Sequence, residues 1–281
     1  MCAPSVVEHV ASRLSRRELL GAAAGAMAAT LLASSRSPVQ ASTAARSRPF
    51  SPQHVVDLTH VLDPAFPVFP SFEPMRITNL YDVQRHGFYA NRWDLGEHTG
   101  THFDAPAHFV DRQDAWSVDQ VPPQRLIAPL VVVHIHERAA RDPDAWVTVD
   151  DLMAWEARYG RIPDGALVCM HSGWESRVGD ADAYRNADPS GTMHFPGFSP
   201  DAAQWLIHER DVVGIGVDTL SLDIGASTSF DVHLTVLGAN RYGLENLANL
   251  AQVPPSGATV IVGAPRVRGA SGGPCRVLAV W

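Results

Sequence analysis

The sequence predicts a mixed α/β domain, and three observations carry that prediction. Short, strongly apolar runs at Leu130 to His136, Ala166 to Met170 and Val212 to Asp218 have the length and content of buried strands. Helix-start signals at Thr148-Val-Asp-Asp151 and Ser199-Pro200 fall between them, and this alternation is the pattern of packed strand and helix layers. At 281 residues and 46% hydrophobic content, the chain has enough apolar material for one sizeable core.

Residues 1–41 stand outside that prediction. Ser15-Arg16-Arg17-Glu18-Leu19-Leu20 opens an alanine- and glycine-rich apolar run to Ala33, and Val39-Gln40-Ala41 offers a small-residue cleavage site. This is the pattern of a twin-arginine export signal, and it places the processed protein in the periplasm or outside the cell. The run is too short and too weakly apolar for a comfortable membrane span, so no stable insertion is expected after processing. Residues 42–52, rich in Ser, Ala and Arg, read as a linker, and residues 53–281 as one catalytic domain.

Composition narrows the function. The net charge of -8 leaves no electrostatic footprint for nucleic acid. All 22 basic residues are arginine, which excludes a Schiff-base lysine, a pyridoxal phosphate anchor and a phosphate-loop lysine together. Cys169 and Cys275 fall in predicted strands, and their spacing matches no cysteine-based zinc site. Whether they pair is open at this level.

Taken in order, His54 to His60 reads as a strand entering a proline-punctuated loop from Asp63 to Pro74. Phe66 and Phe69 on that stiff loop are candidates to wall a substrate pocket or to cap the core. Met75 to Tyr81 and Tyr89 to Asp104 read as strands joined by an Arg85-His86-Gly87 turn, and Ala105-Pro106 ends the second. The run from Leu130 closes in His134-Ile-His136, a pair that shares a strand face and in principle could ligate, but a lone His-x-His at a strand end reads as structural. A helix follows from Thr148 to Tyr159, then the Ala166 strand leading to His171-Ser172-Gly173. Ser172 lacks the preceding glycine of a nucleophile elbow and is assigned to a turn or pocket wall. Ser199-Pro200 opens a helix to about Arg210, and Gly214-Ile-Gly216 lies in the next strand without the third glycine of a dinucleotide fingerprint. From Asp231 the pattern is helical, with a break at Gly238 to Tyr242 and a second helix over Gly243 to Leu250.

The chemistry concentrates in Glu97 to Phe109, which places His98, His102, Asp104 and His108 within eleven residues. Their common parity puts all of them on one face of an extended strand, with Gly100 between the first two leaving room for an ion. Two imidazoles and a carboxylate on one face form a ligand set for a borderline metal, zinc or manganese. Four such groups buried without an ion would leave several polar atoms unsatisfied. His108, past the Pro106 break, can face the ion without binding it, which suits a general acid or base.

The motif His98-Thr-Gly100-Thr101-His102-Phe-Asp104-Ala-Pro106-Ala-His108 resembles the signature of the cyclase family of metal-dependent hydrolases, which includes bacterial kynurenine formamidase and isatin hydrolase. The resemblance extends through Asp57-Leu58-Thr59-His60, the strand near Gly216-Val217-Asp218-Thr219, Glu245-Asn246-Leu247 and the closing Gly273-Pro274-Cys275-Arg276-Val277. It implies a swivelling β/β/α domain, a mixed sheet with flanking helices, assembled as a homodimer or homotetramer. It implies one or two divalent ions, with His98, His102 and Asp104 as ligands, His233 and Glu245 completing a second site, and His108 as the catalytic histidine. The reaction it implies is hydrolysis of a C–N bond in a small aryl or cyclic amide, with metal-bound hydroxide as nucleophile. Where the formamidases carry a Pro-Gly-Asp turn this chain has Pro70-Ser71-Phe72-Glu73, which points away from N-formylkynurenine. Two other classes fit parts of the pattern: a non-haem iron oxygenase using His102, Asp104 and His233, and an exported metal- or ligand-binding protein without turnover.

Overall fold

The computed structural model describes residues 52–281, so the predicted export signal and nearly all of the predicted linker lie outside the described residues. A nine-stranded mixed sheet organises this part of the chain. In sheet order it runs β1 (Val55–Asp57), β13 (Arg276–Val280), β11 (Ala258–Gly263), β5 (Ile127–His134), β7 (Leu167–His171), β9 (Gly214–Val217), β10 (Tyr242–Glu245), β4 (His102–Asp104) and β12 (Gly272–Pro274). The four central strands β5, β7, β9 and β10 are parallel, and both flanks are antiparallel.

Central strands covered on both faces should read as unbroken apolar runs, and these do. In β5, Leu130 and Val132 enter one core while Val131 and Val133 enter the other; in β7, Leu167 and Cys169 face one side and Val168 and Met170 the opposite. Helices α3 (Val149–Tyr159), α5 (Pro200–Glu209) and α6 (Asp231–Gly238) supply Leu152, Trp155, Ala202, Ala203, Leu206, Val232 and Val236 to the second core. Their starts follow the sequence signals. The Thr148 hydroxyl accepts from the Asp151 N–H in a capping box, and the Ser199 hydroxyl accepts from Ala202 N–H ahead of Pro200. Cys169 and Cys275 are both free, buried thiols.

Three local expectations are corrected. Tyr89 to Asp104 is not one strand: β3 (Ala90–Asp94) pairs with β2 (Arg76–Tyr81) in a separate two-stranded hairpin, and only His102 to Asp104 joins the main sheet. The hairpin turn contains the short helix α1 (Val83–His86), closed by Gly87 in the left-handed conformation. Second, Gly243 to Leu250 is not helical. Tyr242–Glu245 is a strand because it fills the slot between β9 and β4, so sheet pairing on both sides overrides a weak local pattern. Third, β5 ends at His134 and His136 opens a short helix, α2 (His136–Ala139), so the two histidines do not share a strand face.

Candidate metal centre

The register of the sheet assembles the site. β4 lies between β10 and β12, with Glu245 directly opposite His102 and Gly243 opposite Asp104. The even residues His102 and Asp104 face one side, while Phe103 turns to the other and stacks on Tyr242 at 4.7 Å. The helix α6 brings His233 over the same point. The resulting contacts are tight: His102 Nε2 lies 3.3 Å from Asp104 Oδ1 and 3.3 Å from Glu245 Oε2, and His233 Nε2 lies 3.1 Å from Glu245 Oε1 and 3.6 Å from Asp104 Oδ2.

His98 reaches the cluster by a different route from the one its parity suggested. It sits in the loop before β4, and its Nδ1 lies 2.7 Å from Asp104 Oδ1. That loop turns at Gly100, whose φ of +69° is the left-handed conformation, and a Cβ there would lie 2.9 Å from Leu62 Cδ1. Gly100 is required by the backbone turn. Gly272 is required for another reason. A Cβ on it would come within 2.5 Å of the His98 ring, so the β12 backbone can pass beside His98 only without a side chain.

Hydrogen bonds outside the cluster fix which nitrogens face inward. His102 Nδ1–H donates to the Gly100 carbonyl at 2.8 Å, and His233 Nδ1–H donates to Asp223 Oδ2 at 2.7 Å, leaving both Nε2 atoms toward the carboxylates. The Ser271 hydroxyl donates to Glu97 and therefore accepts from His98 Nε2–H at 3.0 Å, which leaves Nδ1 as the His98 nitrogen turned toward Asp104. Asp223 is doubly used, because it also accepts the Val232 and His233 N–H groups and so caps the start of α6. Asp223 and Ser271 carry no motif of their own and were not found from the sequence. Glu97 lay inside the motif stretch without an assigned role.

The donor set fits a divalent cation. His102 Nε2 and Asp104 Oδ2 are buried with no hydrogen-bond partner, and both point into the space that His233 and Glu245 also border. The electrostatics agree. Burial pushes the His102 pKa down, but the carboxylates of Asp104 and Glu245 outweigh it and hold the imidazole at about 10; His233 is raised in the same way against its burial, by Asp104, Asp223 and Glu245. Buried carboxylates that draw protons onto neighbouring imidazoles are a site with an unmet demand for positive charge. Two ligand groups are preassembled, His102 with Asp104 and Glu245, and His98 with Asp104 and His108.

His108 lies beside this set. It opens off a single turn of 3-10 helix, Pro106–His108, and its ring stacks on His98 at 3.7 Å. Burial pushes its pKa down to about 4 against the pull of Asp104, so it is a neutral imidazole at pH 7. His98, His102, Asp104, His108, His233 and Glu245 are thus all brought together. Of the pocket candidates, Phe69 lines the cavity above the site, whereas Phe66 does not. Phe66 is buried against His60, with ring centroids 5.7 Å apart. The cavity, of about 140 Å³, is walled instead by Phe69, Phe72, Phe109 and Phe230 with Leu220. Ser172 takes no part in it; its hydroxyl donates to the buried Asp218 at 2.6 Å.

A mixed sheet carrying a buried His/Asp/Glu centre under an aromatic cavity defines a metal-dependent hydrolase type of site. A family model described as "Putative cyclase" matches residues 56–224. The isatin hydrolase of Roseibium aggregatum is 38% identical over 242 residues, covering 80% of this chain and 91% of that protein. The structure of isatin hydrolase A from Ralstonia solanacearum superposes with a TM-score of 0.76 at 43% identity, covering 80% of this chain and 91% of that one. Kynurenine formamidase of Bordetella petrii is 28% identical over 202 residues, covering 68% of this chain and 81% of that protein. The chain belongs to the cyclase family.

Proposed function

We propose that the protein is a metal-dependent hydrolase that opens the ring C–N bond of a small, aryl-fused cyclic amide of the isatin kind. The observation that carries this reading is the convergence of His98, His102, Asp104, His233 and Glu245 beneath a cavity of about 140 Å³ with four phenylalanine walls. A cavity of this order is on the scale of one small flat molecule, since ~150 Å³ of apolar space takes a benzene. Similarity to isatin hydrolases at 38% and 43% identity supports the cyclic amide over an open-chain formamide. The Pro70-Ser71-Phe72-Glu73 segment contributes to the same preference, because Phe72 places an aromatic face at the cavity wall, 5.8 Å from His98.

The ligand chemistry supports zinc or manganese, as one ion or two, which His98, His102, Asp104, His233 and Glu245 would hold. A divalent ion held there polarises a carbonyl and lowers the pKa of water from ~15.7 toward about 7. The residues do the rest. Asp223 and the Gly100 carbonyl orient His233 and His102, and Ser271 with Glu97 orients His98, so the ligands are held before substrate arrives. Phe69, Phe72, Phe109 and Phe230 exclude water and hold a flat ring against the ligand floor. His108 takes a proton from the attacking water and returns it to the leaving nitrogen, a role typically worth ~10² to 10⁴ in rate. The oxygenase reading uses only His102, Asp104 and His233 and leaves His98, Glu245 and His108 in the same site without a task.

The test is an absorbance assay of purified, metal-loaded protein against isatin, N-formylkynurenine and simple cyclic imides, run without oxygen or 2-oxoglutarate. Turnover is expected to be fastest with isatin. Stoichiometric binding of all of them with no product would overturn the enzyme reading in favour of a binding protein. Two further parts of the proposal stand on separate support. Export through the twin-arginine pathway rests on the Arg16-Arg17 signal pattern, and export should stop in a strain lacking that translocase. Assembly as a homodimer or homotetramer is supported by the β2–β3 hairpin, which exposes Ile77, Leu80, Phe88, Tyr89 and Trp93 together. Trp93→Glu should shift the light-scattering mass toward the monomer.

A further inference from the structure

A second histidine cluster lies at the carboxyl ends of the central strands, outside the centre described above. β5 and β7 are parallel and in register, so their last residues, His134 and His171, are direct neighbours. The chain then turns at Ile135, and His136 opens α2 beside the same pair. The three rings form a triangle with centroids 5.0, 5.0 and 5.9 Å apart. One nitrogen from each lies within 4.8 Å of the others. His134 Nδ1 and His171 Nδ1 face each other at 2.8 Å, so either one carries a proton between them or their lone pairs need a cation.

We propose that His134, His136 and His171 form a second metal site, a tris-imidazole cradle for a late first-row divalent ion of the zinc class. The geometry is close to what such an ion takes. Tetrahedral coordination at ~2.0–2.1 Å separates its ligand nitrogens by about 3.3 Å, so the three rings need only small rotations to meet it. The chemistry of the donors sets the class. The cluster's ligand atoms are all imidazole nitrogens, with no carboxylate among them, which suits zinc, copper or nickel and disfavours magnesium, calcium and manganese. His134 and His136 are exposed while His171 is buried, so the rim opens to solvent and leaves a fourth position for water. None of the three lines the aromatic cavity, and β9 separates β7 from the β10 and β4 strands of the first centre.

The experiment counts zinc. Full-length protein is stripped with chelator, reloaded with Zn²⁺, freed of excess by gel filtration and analysed by mass spectrometry for metal per chain. The double variant His134→Ala/His136→Ala is expected to hold one zinc fewer than the parent. Equal zinc in the two proteins overturns the proposal and leaves a hydrogen-bonded histidine cluster. Should the double variant fail to fold, His136→Gln keeps a hydrogen-bonding side chain there. In it, the weakest Zn²⁺ step of a calorimetric titration should weaken at least about tenfold, the lower end of what losing a mere supporting residue does to a metal site. An unchanged isotherm overturns the proposal equally. Cobalt provides a readout that the first centre cannot mask. In an Asp104→Ala/Glu245→Ala background, Co²⁺ should still give a tetrahedral visible absorption, and its absence would also count against the site.

Discussion

Two clusters of histidine at the same sheet behave in opposite ways, and the difference lies in what surrounds them. At the β4–β10 end, His102 and His233 are more deeply buried than His171, yet their pKa values rise, because Asp104, Glu245 and Asp223 supply negative charge within hydrogen-bonding reach. At the β5–β7 end, His171 falls to about 4, since burial is reinforced by two more imidazoles and opposed by no carboxylate. Burial alone always disfavours the imidazolium; only the neighbouring charge decides the sign. The first cluster can therefore hold a dication inside the protein, its charge balanced by carboxylates. The second offers imidazole nitrogens alone, with no carboxylate among them. His108 belongs geometrically to the first cluster but electrostatically resembles the second, because burial outweighs the pull of Asp104.

That contrast can be broken most decisively at Asp104. Asp104→Ala removes the one carboxylate that faces His98, His102 and His233 together, so turnover should fall below detection and metal per chain should drop to what the His134 cluster alone holds; retained turnover or unchanged metal would show that the carboxylates do not organise the centre. His108→Ala comes next. Its kcat should drop by ~10² to 10⁴ while metal per chain stays the same, and loss of metal would reassign His108 as a ligand. Asp223→Asn is expected to weaken metal affinity by ~10- to 100-fold through the freed His233 ring, read by competition against a chromophoric chelator. Phe230→Ala should raise KM for isatin by about two- to tenfold, corresponding to ~0.5–1.5 kcal/mol for one aromatic contact, with kcat little changed. The smallest effect is at the other cluster. His134→Ala should leave kcat/KM within about a factor of two, as for a substitution distant from the reaction, and a large loss would mean the two clusters communicate.

How much of this was legible in the sequence follows from the range of the interactions. The buried central strands at Leu130 and Ala166 and the capped helices at Thr148 and Ser199 were readable because apolar runs and caps are local signals. His102 and Asp104 were readable from their parity, since a period of two is the strand's own. His98 shares that parity by coincidence, and its loop, turned at Gly100, brings it to Asp104 by another path. The segment Tyr242–Glu245 misled because its strand character comes entirely from β9 and β4, partners distant in the chain.

The sequence by itself determined the class of chain and the family motif with its candidate residues His98, His102, Asp104 and His108, because composition, periodicity and short spacings are written along one segment; His233 and Glu245 were pointed to only by the family resemblance. Only the tertiary structure decided that Glu245 would stand opposite His102, and that Asp223 would both cap α6 and orient His233. It also decided that the cavity walls would be Phe72, Phe109 and Phe230 rather than Phe66, and that His171 would join His134 and His136. Those are register and packing outcomes, set by which strands pair and which faces bury, and no local stretch of sequence contains them.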